Sequence, residues 1–222
     1  MMIITIDGPA AAGKGTVSKV LAEKYKLAYF DTGMIYRAVG LDMVLKGLNP
    51  EDEAKALEVA KEMTFEKMME LSKNSDFRTD VGGQAASKVS AINSVREALL
   101  KMQQDFALNP VFADGLRANG VIYDGRDTGT VVCPHADIKF FVTASTEVRA
   151  MRRFKEFVAK GIKTTYEQVL EDMIARDKRD SERKSAPMKP AVDAILLDTS
   201  DMDAEAEISA VLKIVEEKMK KA

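Results

Sequence analysis

The stretch IDGPAAAGKGT, residues 6–16, decides the fold, because it places glycines where an apolar strand ends and a helix begins. Gly8, Gly13 and Gly15 all fall in this junction. Glycine loses more conformational entropy on folding than other residues and is a poor helix former, so stability alone does not favour it here. The junction therefore needs a backbone that is free of side chains.

The spacing of these glycines fits a phosphate-binding loop. Gly8 to Lys14 matches the pattern G-x-x-x-x-G-K between a predicted strand and a predicted helix, which is the context that such a loop requires. Successive N–H groups can turn towards phosphate oxygens, and the helix dipole and the Lys14 ammonium add to the attraction. The predicted phosphate-binding residues are Gly8, Pro9, Ala10, Ala11, Ala12, Gly13, Lys14, Gly15 and Thr16.

One position departs from the usual pattern. The residue after the lysine is Gly15 rather than Ser or Thr, and the hydroxyl comes one place later, on Thr16. No compact group of His, Cys or acidic residues has the spacing of a metal site. We therefore expect no dedicated metal ligands, and we interpret Cys133 as a packing residue and His135 as a surface residue.

The composition is typical of a soluble globular protein. The chain has 222 residues, 33 Lys and Arg against 35 Asp and Glu, a net charge of -2 and 46% hydrophobic residues. This balance gives no global basic field, so we expect no nucleic-acid or membrane partner and only a local anion site. The single cysteine and the absence of a basic signal-peptide start indicate a cytoplasmic protein. No apolar stripe stands out, which favours a monomer.

Five short apolar runs predict buried strands, at residues 2–6, 27–30, 120–123, 138–142 and 194–197. Helical patterns lie between them. This alternation predicts an α/β fold, in which helices cover both faces of a five-stranded parallel sheet.

Capping signals mark three of the predicted helix starts. Asn49 with Pro50 is expected to open one helix, and Ser145 to open another. Thr164 and Glu167 have the spacing of a capping box, and the helix that follows is expected to turn residues 169, 170, 173 and 174 inward.

Arginines follow two of the predicted strands. Arg37 follows the second strand and Arg126 the third, while Arg176, Arg179 and Arg183 lie in a later charged segment. Ligands of open parallel sheets bind beyond the carboxyl ends of the strands. Because arginine can bind phosphate through two hydrogen bonds, these residues favour an acceptor that already carries a phosphate group.

Two other functions are compatible with the loop and the arginines. Asp31, after the second strand, could accept the proton of an alcohol, as in a small-molecule kinase of the shikimate or gluconate type. The chain could also be a nucleotide-binding switch that acts through a partner, although it lacks the N-K-x-D sequence expected of a guanine-specific switch.

Six motifs together resemble the bacterial cytidylate kinases: GPAAAGKGT, DTGMIYR, AASKVSA, VREALL, DGRDTGTVV and RDKRDSERKSAP. They span most of the chain in the family's order. The resemblance implies a P-loop fold of one domain, residues 1–222, with an acceptor-binding insertion over about 34–110 and a short lid over about 152–186. It implies transfer of a phosphoryl group from ATP to CMP or dCMP, with Mg²⁺ entering with ATP and held largely through water and nucleotide oxygens.

The resemblance also implies roles for single residues. Gly13, Lys14, Gly15 and Thr16 would hold the ATP phosphates, and Arg37 and Arg126 the phosphate of the acceptor. Ser87, Arg96 and Asp127 would bind the cytosine edge, Thr32 and Tyr36 would line the same pocket, and Arg176 and Asp180 would meet the sugar. Arg183 would stabilise the transferring group, so the expected catalytic residues are Lys14, Arg126 and Arg183.

The chemistry of the base fits two of these roles independently. Cytosine presents an exocyclic amine and two acceptors, which match the carboxylate of Asp127 and the guanidinium of Arg96. The stretch 63–84 departs from the family, since it is shorter than the usual insertion and poor in strand signals. We expect it to shape the acceptor side of the site.

Overall fold

The computed structural model describes residues 1–112 and 114–220, and it places the five predicted strands in one sheet. The strands are β1 (Met2–Asp7), β2 (Ala28–Asp31), β3 (Gly120–Gly125), β4 (Ile138–Thr143) and β5 (Ile195–Asp198). Their order is β2-β3-β1-β4-β5, and every pair is parallel. The predicted five-stranded parallel sheet is confirmed, and the loop after β1 leaves its centre.

Helices fill most of the remaining chain. They are α1 (Lys14–Tyr25), α2 (Gly33–Leu45), α3 (Glu53–Lys61), α4 (Phe65–Leu71), α5 (Asp80–Ser90), α6 (Asn93–Leu108), α7 (Thr146–Ala159), α8 (Tyr166–Glu182) and α9 (Ala204–Met219). None of the helices in the described part of the chain is both long and apolar enough to cross a membrane.

Helices pack against both faces of the sheet. Val121 and Tyr123 of β3 belong to one core with residues of α2, α3 and α6, whereas Ile122 between them belongs to a second core with residues of α1 and α9. Side chains alternate across a strand, so the two cores lie on opposite faces. This arrangement is the expected three-layer α/β fold.

Two predicted helix starts differ from the structure. Helix α3 begins at Glu53, where Asp52 caps it by accepting a hydrogen bond from the Lys55 N–H, while Asn49 caps only the preceding turn. Helix α8 is capped by Thr165, which accepts from the Gln168 N–H, because this pair offers the same spacing one residue beyond the predicted Thr164. The predicted cap at Ser145 is confirmed.

The structure also differs from the prediction in which side chains of α8 are buried, because this helix packs against α7. Val169 and Met173 are buried and Leu170 is half-buried, but Ile174 is 53% exposed, so its predicted inward position is wrong. Val169 and Met173 instead form a small third core with Ala150 and Phe157 of α7. Helices α7 and α8 therefore pack as a pair with a core of their own.

The short segment over residues 63–84 is helical. It contains α4, a 3₁₀ turn at Ser75–Arg78 and the start of α5, with Phe77 fully buried between them. The carbonyl oxygen of Phe77 accepts a hydrogen bond from Arg37 Nη1 at 3.1 Å. The segment thus helps to fix an arginine that the sequence places in the site.

Candidate active site

The site lies where the carboxyl ends of β1, β2 and β3 meet. Asp31 and Asp124 face each other across β2 and β3, and Asp7 pairs with Gly125 across β1 and β3. A cavity of about 800 Å³ opens here, and the loop after β1 forms one of its walls. A smaller cavity of about 50 Å³ adjoins it, and both cavities are lined by Gly33, Arg126 and Arg176.

The loop after β1 depends on glycine at two points. Gly8 has a φ of 142°, and a Cβ there would lie 1.9 Å from the carbonyl oxygen of Val142. Gly13 has a φ of 99° and precedes the first residue of α1, Lys14. These conformations and close approaches exclude other residues, so the bare backbone that the sequence predicted is a geometric requirement.

Lys14 is buried at the foot of this loop. Its ammonium donates a hydrogen bond to the Pro9 carbonyl oxygen at 2.8 Å and lies 3.8 Å from Asp124 Oδ1. Burial and the nearby charge of Arg126 lower the pKa of Lys14 to about 8, although Asp124 opposes this shift. Burial raises the pKa of Asp124 in turn, and Asp31 adds to that rise. The groups around the Lys14 ammonium therefore do not fully compensate its positive charge.

Five arginines line the large cavity, and three of them, Arg37, Arg126 and Arg176, are expected in the site from the sequence. Arg37 reaches it from α2, and burial lowers the pKa of Arg37 to about 10. Burial and the charge of Arg126 lower the pKa of Arg176 to about 9, although Asp180, 3.9 Å from Arg176 Nε, opposes the shift. The Nε of Arg176 has no hydrogen-bond partner among the described residues. Arg126 is better paired, because its Nε donates to Asp180 Oδ2 at 3.1 Å.

Paired charges form the small cavity. Arg96 Nη2 donates to Asp127 Oδ2 at 2.5 Å, and Arg183 Nη2 donates to Asp127 Oδ1 at 3.4 Å. The Arg96 guanidinium also lies 5.2 Å from the centre of the Tyr36 ring. Burial alone would lower the pKa of Arg96, but Tyr36 and Asp127 raise it above the ordinary value. Arg96 and Asp127 thus compensate each other before any ligand binds, whereas burial and the charge of Arg96 lower the pKa of Arg183 in the same pocket.

The comparisons with known proteins agree over nearly the whole chain. A family model described as cytidylate kinase matches residues 4–217. The chain belongs to the cytidylate kinase family. It is 49% identical over 213 residues to a cytidylate kinase of Paramagnetospirillum magneticum, covering 96% of this chain and 97% of that protein. It is 48% identical over 220 residues to one of Rhodospirillum rubrum, covering 99% of this chain and 100% of that protein.

A solved structure supports the fold alone. An uncharacterized protein from Eubacterium ventriosum aligns with a TM-score of 0.52 at 13% identity, over 97% of this chain and 99% of that chain.

This cytidylate kinase family member brings the expected site residues together in two groups. The large cavity is lined by residues 10–16 of the loop and by Arg37, Arg126 and Arg176. The small cavity is lined by Thr32, Tyr36, Ser87, Arg96, Arg126, Asp127, Arg176, Asp180 and Arg183. Gly8 and Pro9 lie behind the large cavity, where they shape the loop. Arg183, expected beside the transferring group, is grouped with the residues of the small cavity instead.

Several further residues of the large cavity were not singled out from the sequence, among them Asp124, Arg152, Arg153 and Glu207. Asp124 could have been predicted from the sequence, because it lies at the carboxyl end of β3, two residues before Arg126. Arg152 donates to the carbonyl oxygens of Thr199 at 2.7 Å and Met202 at 3.1 Å, which fixes α7 to the loop after β5. No local sequence pattern predicts that contact.

Glu207 lies directly against the phosphate-binding loop. A Cβ at Gly13 would meet both carboxylate oxygens of Glu207 at 2.2 Å, so this glycine makes room for the acid. Glu207 is 4% exposed, and its Oε1 has no hydrogen-bond partner among the described residues. Burial raises the pKa of Glu207, while Arg152 and Lys14 oppose the rise.

Proposed function

We propose that this member of the cytidylate kinase family transfers the γ-phosphoryl group of ATP to CMP or dCMP across the junction of the two cavities. ATP-dependent phosphorylation of CMP is the activity of the family. The phosphates of ATP lie on the loop in the large cavity, and the base of the acceptor lies in the small one. The observation that carries this arrangement is that Arg126 and Arg176 line both cavities, so two ligands placed end to end meet between them.

The charges around the large cavity support binding of two phosphate-bearing ligands. Lys14, Arg37 and Arg176 all have lowered pKa values, which means that the protein does not supply enough negative charge around them. Phosphate groups would supply it. A nucleoside monophosphate is largely dianionic near neutral pH, with a second pKa of about 6, so its transfer requires charge neutralisation more than a general base.

The small cavity supports recognition of cytosine. Asp127 uses one lone pair of each carboxylate oxygen on Arg96 and Arg183, which leaves lone pairs for the exocyclic amine of the base. Arg96 supplies a planar donor for the ring acceptors. Tyr36 and Thr32 close the pocket, and Thr32 is fixed because its hydroxyl donates to the Asp124 carbonyl oxygen at 3.0 Å.

In the transfer itself, Arg126 and Lys14 are placed to stabilise the charge on the moving phosphoryl group. Attack is in line, and the acceptor phosphate oxygen forms its new bond as the bond to the leaving ADP oxygen breaks. Arg176 neutralises the acceptor phosphate, so the two anions can approach each other. We propose Arg183 as a more distant support, because its guanidinium lies beside Asp127.

The residues around Lys14 fit a magnesium ion that enters with ATP. The carboxylates of Asp31 and Asp124 and the hydroxyl of Thr16 belong to residues that line the large cavity, and such oxygens are the ligands that Mg²⁺ prefers, often through water. Within residues 1–112 and 114–220, no three His, Cys, Asp or Glu side chains form a metal-binding group by themselves. When bound, the ion would neutralise part of the phosphate charge.

Two segments around the site move or hold the ligands. We propose that residues 34–110 form the acceptor-binding insertion and residues 152–186 the lid of a single domain. The separate small core of α7 and α8 supports movement of that pair as a unit. Arg149 of α7 donates to the Ala10 carbonyl oxygen at 3.3 Å and to Asp177 of α8 at 2.6 Å, so the pair contacts the loop that holds ATP. Closure would exclude water from the phosphates.

An ADP-release assay across CMP, dCMP, UMP, AMP, shikimate and no acceptor tests this function. We expect CMP and dCMP to stimulate release most strongly. Asp31→Ala separates the alcohol-kinase alternative, because a general base would be indispensable there and Asp31 is not one here. If only shikimate stimulates ADP release, or if none of the acceptors does, the proposal is overturned.

A further inference from the structure

Arg179 connects the helix of the proposed lid to the helix that carries Ser87. Its Nε donates a hydrogen bond to Ser87 Oγ at 3.0 Å, and its Nη2 donates to Gln84 Oε1 at 2.7 Å. Ser87 and Gln84 are three residues apart on α5 and therefore share one face of that helix. One guanidinium of α8 thus holds two side chains of α5 in a fixed relation.

The direction of the contact decides what Ser87 can still do. Arginine has no acceptor, so Ser87 must accept, and this uses one of its two lone pairs. The hydroxyl keeps its proton and its second lone pair. Ser87 is 2% exposed and lines the small cavity with Arg96 and Asp127. No described residue receives the Ser87 hydroxyl proton, which leaves it for a ligand in that cavity.

Ser90, one turn further along α5, shows what happens without such an arginine. It lines the same cavity, but its hydroxyl donates to the Ser87 carbonyl oxygen of its own helix at 3.0 Å. Serine in a helix commonly makes this local bond, which turns the hydroxyl away from other partners. The contact with Arg179 gives Ser87 an alternative to it.

We propose that Arg179 is a positioning residue for base recognition: from the lid helix it holds the Ser87 hydroxyl in the orientation that contacts the base of the acceptor. The inference rests on the proposed function, because it takes the small cavity as the base site. The Arg179 side chain then couples the position of α8 to recognition of the acceptor base. Arg179 itself does not line either cavity.

A double-mutant cycle tests the role of Arg179. Ser87→Ala, Arg179→Met and the double variant are compared for the KM of CMP, the KM of ATP and kcat. We expect each single change to raise the KM of CMP about tenfold, the loss of one hydrogen bond of about 1.4 kcal/mol. The double variant should be no worse than Ser87→Ala alone, since Arg179 acts through Ser87. The KM of ATP should stay within about twofold.

Two further variants separate positioning from folding. Arg179→Lys keeps a donor and should recover part of the affinity for CMP, while Lys178→Met, an exposed neighbour on α8, should match the unchanged enzyme. If Ser87→Ala raises the KM of CMP but Arg179→Met does not, or if the two effects multiply, the role of Arg179 is overturned and the base site stands. If Ser87→Ala leaves the KM of CMP unchanged, the base-site assignment itself is overturned.

Discussion

The phosphate-binding loop and the small cavity, which form the two ends of the site, arise from the sequence in different ways. The loop end is organised around a contiguous stretch of sequence, of which residues 10–16, including Lys14, form one wall of a cavity of about 800 Å³. The small cavity is built from side chains that α2, α5, α6, α8 and the end of β3 contribute separately. The phosphate-binding loop is thus one local stretch of sequence, whereas the side chains of the small cavity come together only when distant elements pack.

The electrostatics of the two ends differ in the same way. Lys14, Arg37 and Arg176 have lowered pKa values because the effect of burial outweighs the attraction of the carboxylates near them. Arg96 and Asp127 compensate each other at 2.5 Å. Under the proposed function, the buried cations of the large cavity would bind anionic phosphates, and the Arg96–Asp127 pair would provide directed hydrogen bonds for an uncharged base.

Arg126→Met should have the largest effect, because Arg126 lines both cavities and lies where the transferring group would pass. We expect kcat to fall by about 10²–10³, the range for loss of one group that stabilises transition-state charge. Steady-state assays with saturating ATP and CMP measure it. Lys101→Met, whose side chain is 82% exposed, is the control and should change kcat less than about twofold. A kcat for Arg126→Met within tenfold of the unchanged enzyme would contradict the account.

Asp127→Asn should damage the acceptor end selectively. The change removes the charge that pairs with Arg96 and Arg183 and one acceptor for the amine of the base. We expect kcat/KM for CMP to fall about 10²-fold, equivalent to roughly 2.7 kcal/mol, while the KM of ATP changes less than about threefold. Asp105→Asn, on the exposed face of α6, provides the matched control. Equal losses for ATP and CMP would show that the two ends are not independent.

The pH dependence of ATP use should report Lys14. Its pKa is lowered to about 8, so the free enzyme loses the ammonium as the pH rises through that value. We expect kcat/KM for ATP to fall above about pH 8. Bound phosphates favour the charged form, so the corresponding fall in kcat should lie at higher pH. Lys14→Arg stays charged and should lack the fall, even at lower activity. A flat kcat/KM profile up to pH 10 in the unchanged enzyme would be inconsistent with the desolvated lysine.

Glu207→Gln should give the smallest effect, and it should be a gain in stability. The folded protein raises the pKa of Glu207, so the charged carboxylate costs stability above that pKa, and the cost disappears as the pH falls below it. We expect the melting temperature at pH 8 to rise by about 2–4 °C, for about 1 kcal/mol, and the difference to shrink at acid pH. Glu205→Gln, exposed in the same turn, is the control. A lower melting temperature for Glu207→Gln at pH 8 would rule out this cost.

The features that could be predicted from the sequence also differ between the loop end and the small cavity. The loop and the five strands are short, contiguous signals, and the structure confirms them. The roles proposed for the small cavity came from a resemblance, because no spacing rule brings Ser87, Arg96 and Asp127 together. Arg152 and Glu207 were missed because they reach the loop from α7 and α9, whose register against the sheet is set by packing. The start of α8 was predicted one residue too early, because Thr164 and Thr165 are adjacent and have similar capping potential.

We propose that the buried cations of the large cavity hold two phosphate-bearing nucleotides end to end. The most direct measurement is the affinity for an analogue that joins adenosine to cytidine through a chain of phosphates, compared with ATP and CMP by calorimetry. The account predicts a Kd at least 10²-fold below that of either nucleotide, competition with both, and a loss of most of that gain in Arg37→Met and Arg126→Met. An analogue that binds no more tightly than ATP, or that leaves CMP binding unaffected, would contradict it.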